Sequence, residues 1–179
     1  VGSGTASWTF TSPTYANANW YKIKSKATDL SNNIETPGAG NSFLFDDIKP
    51  TTTIVLPTNN AELKTATLIT GTVVDGGASG LSNVRLIVKN ISTTEYFNGV
   101  NWQTNYTDVA TTLAGGNWSR AIDDNKWTNG NNFTITSFAK DEANNTETPG
   151  PIVSFLFDNA VPSSIITIIN QIRDPNLDI

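Results

Sequence analysis

The 179 residues leave room for one or two domains. They contain no Cys, Met or His, which excludes a disulfide framework, a thiolate zinc site and a histidine general base, so any metal must be a hard cation on oxygen ligands, such as Ca²⁺. The net charge of -5 offers no basic face to nucleic acid, and no run of 18 apolar residues marks a membrane span.

Along the chain, the opening Val1-Gly2-Ser3-Gly4 is not a signal peptide, so an export signal would lie upstream. Tyr21, Ile23, Ser25 and Ala27 oppose Lys22, Lys24 and Lys26, a strand with one core face and one solvent face. Thr51 to Leu56, closed by Pro57, reads as an edge strand, and Asn59-Asn60 as a turn. Thr65 to Val74 follows with Ile69, Gly71 and Val73 on one face, then a tight loop from Asp75 to Gly80. Leu81, Val84, Leu86 and Val88 face one way against Arg85 and Lys89, with Ile87 breaking the alternation. Asn98-Gly99, between Tyr96-Phe97 and Trp102, predicts a type I′ hairpin. Shorter strands are expected over Asp108 to Leu113 and Trp118 to Ile122. Two more follow, with Phe133, Ile135, Ser137 and Ala139, then Val153, Phe155 and Phe157, facing inward. A last short apolar run spans Ile165 to Ile169. About seven or eight strands with turn signals every 8–12 residues describe an all-β, immunoglobulin-like antiparallel sandwich.

An internal repeat organises these strands. Residues 19–54 align without a gap on 131–166, at an offset of 112, with 18 of 36 positions identical. The shared residues include Asp29/Asp141, Asn32-Asn33/Asn144-Asn145, Glu35-Thr36-Pro37-Gly38/Glu147-Thr148-Pro149-Gly150 and Ser42-Phe43-Leu44-Phe45-Asp46/Ser154-Phe155-Leu156-Phe157-Asp158. Upstream, Ser7-Trp8-Thr9-Phe10 matches Asn117-Trp118-Ser119-Arg120 with a slightly longer loop in the second copy. The expected division is the end of one unit (1–46), a whole unit (47–158) and the start of a third (159–179), repeated in tandem.

Four pieces resemble the bacterial immunoglobulin-like (Big-type) repeats of large surface proteins and adhesins. They are Thr70-Gly71-Thr72-Val73-Val74-Asp75 running into Ser79-Gly80-Leu81-Ser82-Asn83-Val84, the Tyr96 to Trp102 hairpin, Ala139-Lys140-Asp141-Glu142-Ala143-Asn144-Asn145, and Phe157-Asp158-Asn159-Ala160-Val161-Pro162. Asn144 departs from the pattern, which usually has Gly there. The resemblance implies extracellular display at the cell surface, tandem stacking against adjacent repeats and, in some cases, Ca²⁺ at domain junctions.

Candidate sites each carry a plainer reading. Asp29, Asp46, Asp75, Asp141, Asn144 and Asp158, with Asn145 and Glu147 nearby, offer oxygens to Ca²⁺, or simply shape Asx-turns. Tyr96, Phe97, Trp102, Trp118 and Trp127 could stack on a glycan, or pack the sandwich. Asn-x-Ser/Thr at Asn90, Asn105, Asn117, Asn132 and Asn144 is common in so Asn- and Thr-rich a chain. A Lys–Asn isopeptide cross-link would need both groups buried beside an acid. Asp123-Asp124 looks solvated, and nothing marks a catalytic carboxylate pair across a cleft. The expected function is therefore non-catalytic: a stalk, sheath or spacer, with an adhesin module or an accessory domain of an extracellular enzyme as alternatives. The partners expected are adjacent repeats, a glycan or surface receptor, or neighbouring copies, whose 1–46 segment could receive 159–179 by strand addition.

Overall fold

The computed structural model describes residues 7–150 and 152–166. In chain order its strands are β1 (Asn19–Ile23), β2 (Asn41–Phe45), β3 (Thr51–Leu56), β4 (Ala61–Leu63), β5 (Leu68–Val74), β6 (Leu81–Asn90) and β7 (Glu95–Phe97). They continue with β8 (Trp102–Gln103), β9 (Val109–Ala110), β10 (Thr112–Ala114), β11 (Asn117–Ala121), β12 (Asn131–Asp141) and β13 (Ile152–Phe157). One 3₁₀ turn, Asp124–Lys126, precedes β12, so no helix among the described residues is long and apolar enough to cross a membrane.

Strands β3 to β13 make two sheets. One runs β10-β11-β5-β3; the other runs β4-β13-β12-β6-β7-β8, with β9 also on β6. Every pairing is antiparallel except β4 with β13. In the lettering of immunoglobulin domains this is A-B-E-D packed on C-F-G, with β3 and β4 as the two halves of one edge strand broken at Pro57. The chain is an immunoglobulin-like β-sandwich over this stretch.

Alternation along the strands fills the space between the sheets. Ile69, Val73 and Trp118 come from one side; Val84, Leu86, Val88, Phe133, Ile135, Ala139, Phe155 and Phe157 come from the other. Trp118 stands opposite Gly71 in the ladder and its indole N–H donates to the Thr72 carbonyl at 3.0 Å. Its ring occupies the room that Gly71 leaves: a Cβ there would run into the ring and into the Thr53 carbonyl. A second core region is aromatic, with Trp127 4.9 Å from Phe133 and 5.3 Å from Phe155, and Trp102 5.4 Å from Phe97.

Several expectations change. The 65–74 stretch begins its strand only at Leu68, because Asp124 takes the Thr65 hydroxyl (2.6 Å) and the Ala66 N–H (2.7 Å). Asp124 is thus a structural tie, not a solvated acid. The 108–113 stretch is two strands on different sheets. It crosses between them at Thr111, whose N–H and hydroxyl both donate to the Val84 carbonyl. Asn98-Gly99 forms no two-residue I′ turn: Phe97 pairs with Trp102 across four residues, and of the two only Gly99 has positive φ. Asn90, 2% exposed, turns the chain by accepting the N–H groups of Ser92 and Thr93. No Lys is among the buried residues, so the described core lacks the makings of an isopeptide bond.

Upstream, β1 and β2 form a separate two-stranded sheet. Its register matches that of the second copy: Asn19↔Phe45, Tyr21↔Phe43 and Ile23↔Asn41 correspond to Asn131↔Phe157, Phe133↔Phe155 and Ile135↔Val153. The surroundings differ. Ile135 is 0% exposed and its counterpart Ile23 is 49% exposed. Among the described residues β1 has no neighbour like β6 and ends at Ile23, and residues 7–18, the counterpart of β11, form no strand. Tyr15 covers part of the open face, against Tyr21, Phe43 and Phe45. Ile165 and Ile166 are exposed and outside any strand, while the rest of the run to Ile169, the segment to 179 and the opening Val1 to Gly4 lie outside the described residues.

Candidate metal centre at the entry to the sandwich

The chain enters the sandwich through Asp46, which sits between the β5–β6 loop and the β12–β13 loop. Each loop brings an acid to it. Asp46, Asp75 and Asp141 present carboxylate oxygens all within 4.8 Å of one another, the one acidic trio of this kind among the described residues. Asp46 and Asp141 are buried and Asp75 is half-buried.

Each carboxylate is already oriented by the backbone. Asp46 Oδ1 accepts the Ile48 N–H (3.0 Å), and Oδ2 accepts those of Ala78 (2.9 Å) and Ser79 (2.8 Å). The Asp46 main-chain carbonyl accepts Asn145 Nδ2 at 3.0 Å. Gly77 lies flat against the same carboxylate, and any side chain there would collide with both of its oxygens. Asp75 accepts the N–H groups of Gly77 (2.9 Å) and Gly80 (3.0 Å), and Asp141 accepts Asn145 N (2.7 Å) and Nδ2 (2.8 Å). The neighbouring Ser79 hydroxyl, and then the N–H groups of Ser79, Ile48 and Ala78, outweigh burial and hold the Asp46 carboxyl at about 2 rather than 3.8.

Three like charges this close repel one another by about 3 kcal/mol per pair at an effective dielectric near 20. The N–H donors offset part of that. They use one lone pair on each oxygen of Asp75 and Asp141 and leave the others, and one oxygen of each acid lies within 4.8 Å of the other two. Hard oxygen donors in this number suit Ca²⁺, with main-chain carbonyls or water to complete its shell.

The other expected ligands lie elsewhere. Asn144 is exposed at a left-handed corner of the loop, φ 72°. Asp29 stands in the first hairpin, caged by Asn33 N (2.8 Å) and Nδ2 (2.7 Å) as Asp141 is by Asn145, and the Asn33 amide lowers its pKa. Asp158 follows β13, exposed. Glu147, grouped with the cation ligands on sequence, does something else. Its Oε1 accepts the Thr52 N–H of one sheet (2.8 Å), and its Oε2 accepts the Ala139 N–H of the other (3.0 Å). Beside it the Thr52 and Ser137 hydroxyls meet at 2.7 Å. The signal was present in the repeated acid before Thr-Pro-Gly, at Glu35 and Glu147.

Of the aromatic candidates, Trp118 and Trp127 are core residues, 1% and 5% exposed, and Phe97 is buried with them. Trp102 is half-buried, with its indole N–H donated to the Lys126 carbonyl at 2.6 Å. Only Tyr96 belongs to a surface group: Tyr106, 63% exposed, meets its ring at 5.5 Å, and Lys89 Nζ lies 5.3 Å from its centre.

No protein family matches the sequence, and no curated protein does. Among solved structures, a fibronectin(III)-like module of Clostridium thermocellum CbhA is similar at 18% identity and a TM-score of 0.44, over 85% of this chain and 70% of that one.

Proposed function

We propose that this chain is a stretch of tandem immunoglobulin-like units from an extracellular surface protein, serving as a non-catalytic structural spacer, with Ca²⁺ fixing the entry to each sandwich. One observation carries the reading. The β1–β2 hairpin repeats β12–β13 residue for residue in register, yet leaves open a face that β12–β13 buries. Positions built for a core are exposed until a body like β3 to β11 covers them. The experiment replaces residues 1–18 with a copy of 47–130. The amides of 19–45 are then expected to gain the slow hydrogen exchange of 131–157. Exchange that stays fast would overturn the tandem reading.

Calcium has its own test. Binding to the folded state alone stabilises it by about 2.7 kcal/mol at a hundredfold excess over the dissociation constant. Millimolar Ca²⁺ is therefore expected to raise the melting temperature by several degrees over EDTA, and Asp75→Asn to abolish the rise. An unchanged melting temperature in the parent chain would remove Ca²⁺ from the account.

An adhesive module is the second reading, and it rests on Tyr96 and Tyr106 alone. Glycan titration that shifts the NMR signals of those two rings would favour it over the spacer.

A further inference from the structure

We propose that Asp158 is an unfilled copy of the Asp46 joint, a carboxylate peg whose partner is a Gly-Gly-x-Ser loop of the Asp75–Gly80 kind on the sandwich that follows. This rests on the tandem reading and names the contact that would join consecutive units.

The two exits from the hairpins are built alike. Asp46 follows Phe45 of β2, and Asp158 follows Phe157 of β13. Ala18 N donates to the Phe45 carbonyl at 2.9 Å, as Gly130 N does to the Phe157 carbonyl at 2.8 Å. Both donors have left-handed backbone, φ 61° and 77°. Asn17 Oδ1 accepts the Asp47 N–H at 3.1 Å, and Asn129 Oδ1 accepts the Asn159 N–H at 2.8 Å. The peg has the same rotamer-fixing bond in each, Ile48 N to Asp46 Oδ1 and Ala160 N to Asp158 Oδ1, both 3.0 Å.

They differ at the second oxygen. Asp46 Oδ2 is held by Ala78 and Ser79, whereas Asp158 Oδ2 meets no donor among the described residues and the side chain is exposed. Asp158 is therefore oriented in advance for a receptor, which lowers the entropy lost on docking. The filled joint defines that receptor. It offers two consecutive N–H groups, a preceding glycine with no Cβ to strike the carboxylate, and an amide side chain like Asn145 for the carbonyl of the peg. A second free copy of this chain is a poor receptor, because its own loop already holds its own Asp46.

The test inserts a second copy of residues 47–158 directly after Asp158 of the full chain and follows amide hydrogen exchange. The inserted Ala78 and Ser79 amides are expected to exchange as slowly as the resident ones. Asp158→Ala is expected to speed them roughly tenfold or more, the worth of a charge-assisted hydrogen bond, while the inserted core stays protected. If the inserted core is protected but those two amides exchange alike with and without the Asp158 carboxylate, the peg is wrong and the tandem reading survives. If the inserted core itself is unprotected, the tandem reading fails and takes the peg with it.

Discussion

Gly71→Ala is expected to lower the stability of the sandwich by about 3 kcal/mol, the upper end for forcing one extra carbon into a packed core, and its melting temperature by roughly 10 °C. The site gives no room for relaxation. On one side stands the Trp118 ring, pinned by its bond to the Thr72 carbonyl; on another stands the Thr53 carbonyl of the paired edge strand. Moving the ring breaks a part-buried hydrogen bond, and moving the strand breaks the β3–β5 ladder. Gly76→Ala is the control. Its new carbon would find only an ordinary contact with Ile48, at 3.5 Å, and a change within about 0.5 kcal/mol is expected. Urea denaturation of the two variants decides the matter. Equal midpoints would show that the Gly71 side of the core yields freely.

Glu147→Ala is expected to cost about 3–4 kcal/mol. It removes two hydrogen bonds to a charged acceptor and strands the Thr52 and Ala139 N–H groups inside the sandwich, at about 1.5–3 kcal/mol for each charged bond. The first hairpin supplies an internal comparison. Glu35 makes the equivalent bond to the Ala27 N–H at 2.9 Å, but it is exposed, and among the described residues no second sheet lies across from it. Glu35→Ala is expected to leave the melting of the sandwich unchanged. If both substitutions prove equally mild, Glu147 does not clamp the sheets.

These residues also mark how far the sequence could be read. Alternation placed β5, β6, β12 and β13 on their correct faces, because apolar side chains at every second position have only one way to be buried. The repeat anticipated the shared register of the two hairpins. β4 escaped notice: Ala61-Glu62-Leu63 has no β-branched residue, and it is a strand only because β13 lies alongside. The two-sheet division of 108–113 was likewise invisible, since a crossing at Thr111 depends on a carbonyl 27 residues away.

At the site, three of the proposed cation ligands converge, and the others are spread over the chain. Asp46 and Asp141 are 95 residues apart and Asp75 lies between them, so only the folded topology brings them together. Sequence spacing grouped Glu147 with Asp141 because they are neighbours along one loop. The loop instead sends one acid to the end of the sandwich and the other between its sheets. For the tryptophans, ring chemistry is the same for a core and a glycan platform. Burial of Trp118 followed from the bulk missing at Gly71, and burial of Trp127 from the Phe133 and Phe155 rings against which it packs.

The single parallel pairing in the sandwich has a consequence for tension. Thr52, near the start, lies against Ser137 of β12, while Phe157, at the end, lies against Asn131 of the same strand. The two attachment points of the chain are therefore at different heights along the sheet. A pull applied through Asp46 and Asp158 draws β4 and β13, which run side by side in the same direction, past each other along their length. The bonds between them are loaded in shear and must give way together, not one after another as in a zipper. A unit wired in this way resists stretching more strongly than its equilibrium stability alone would indicate.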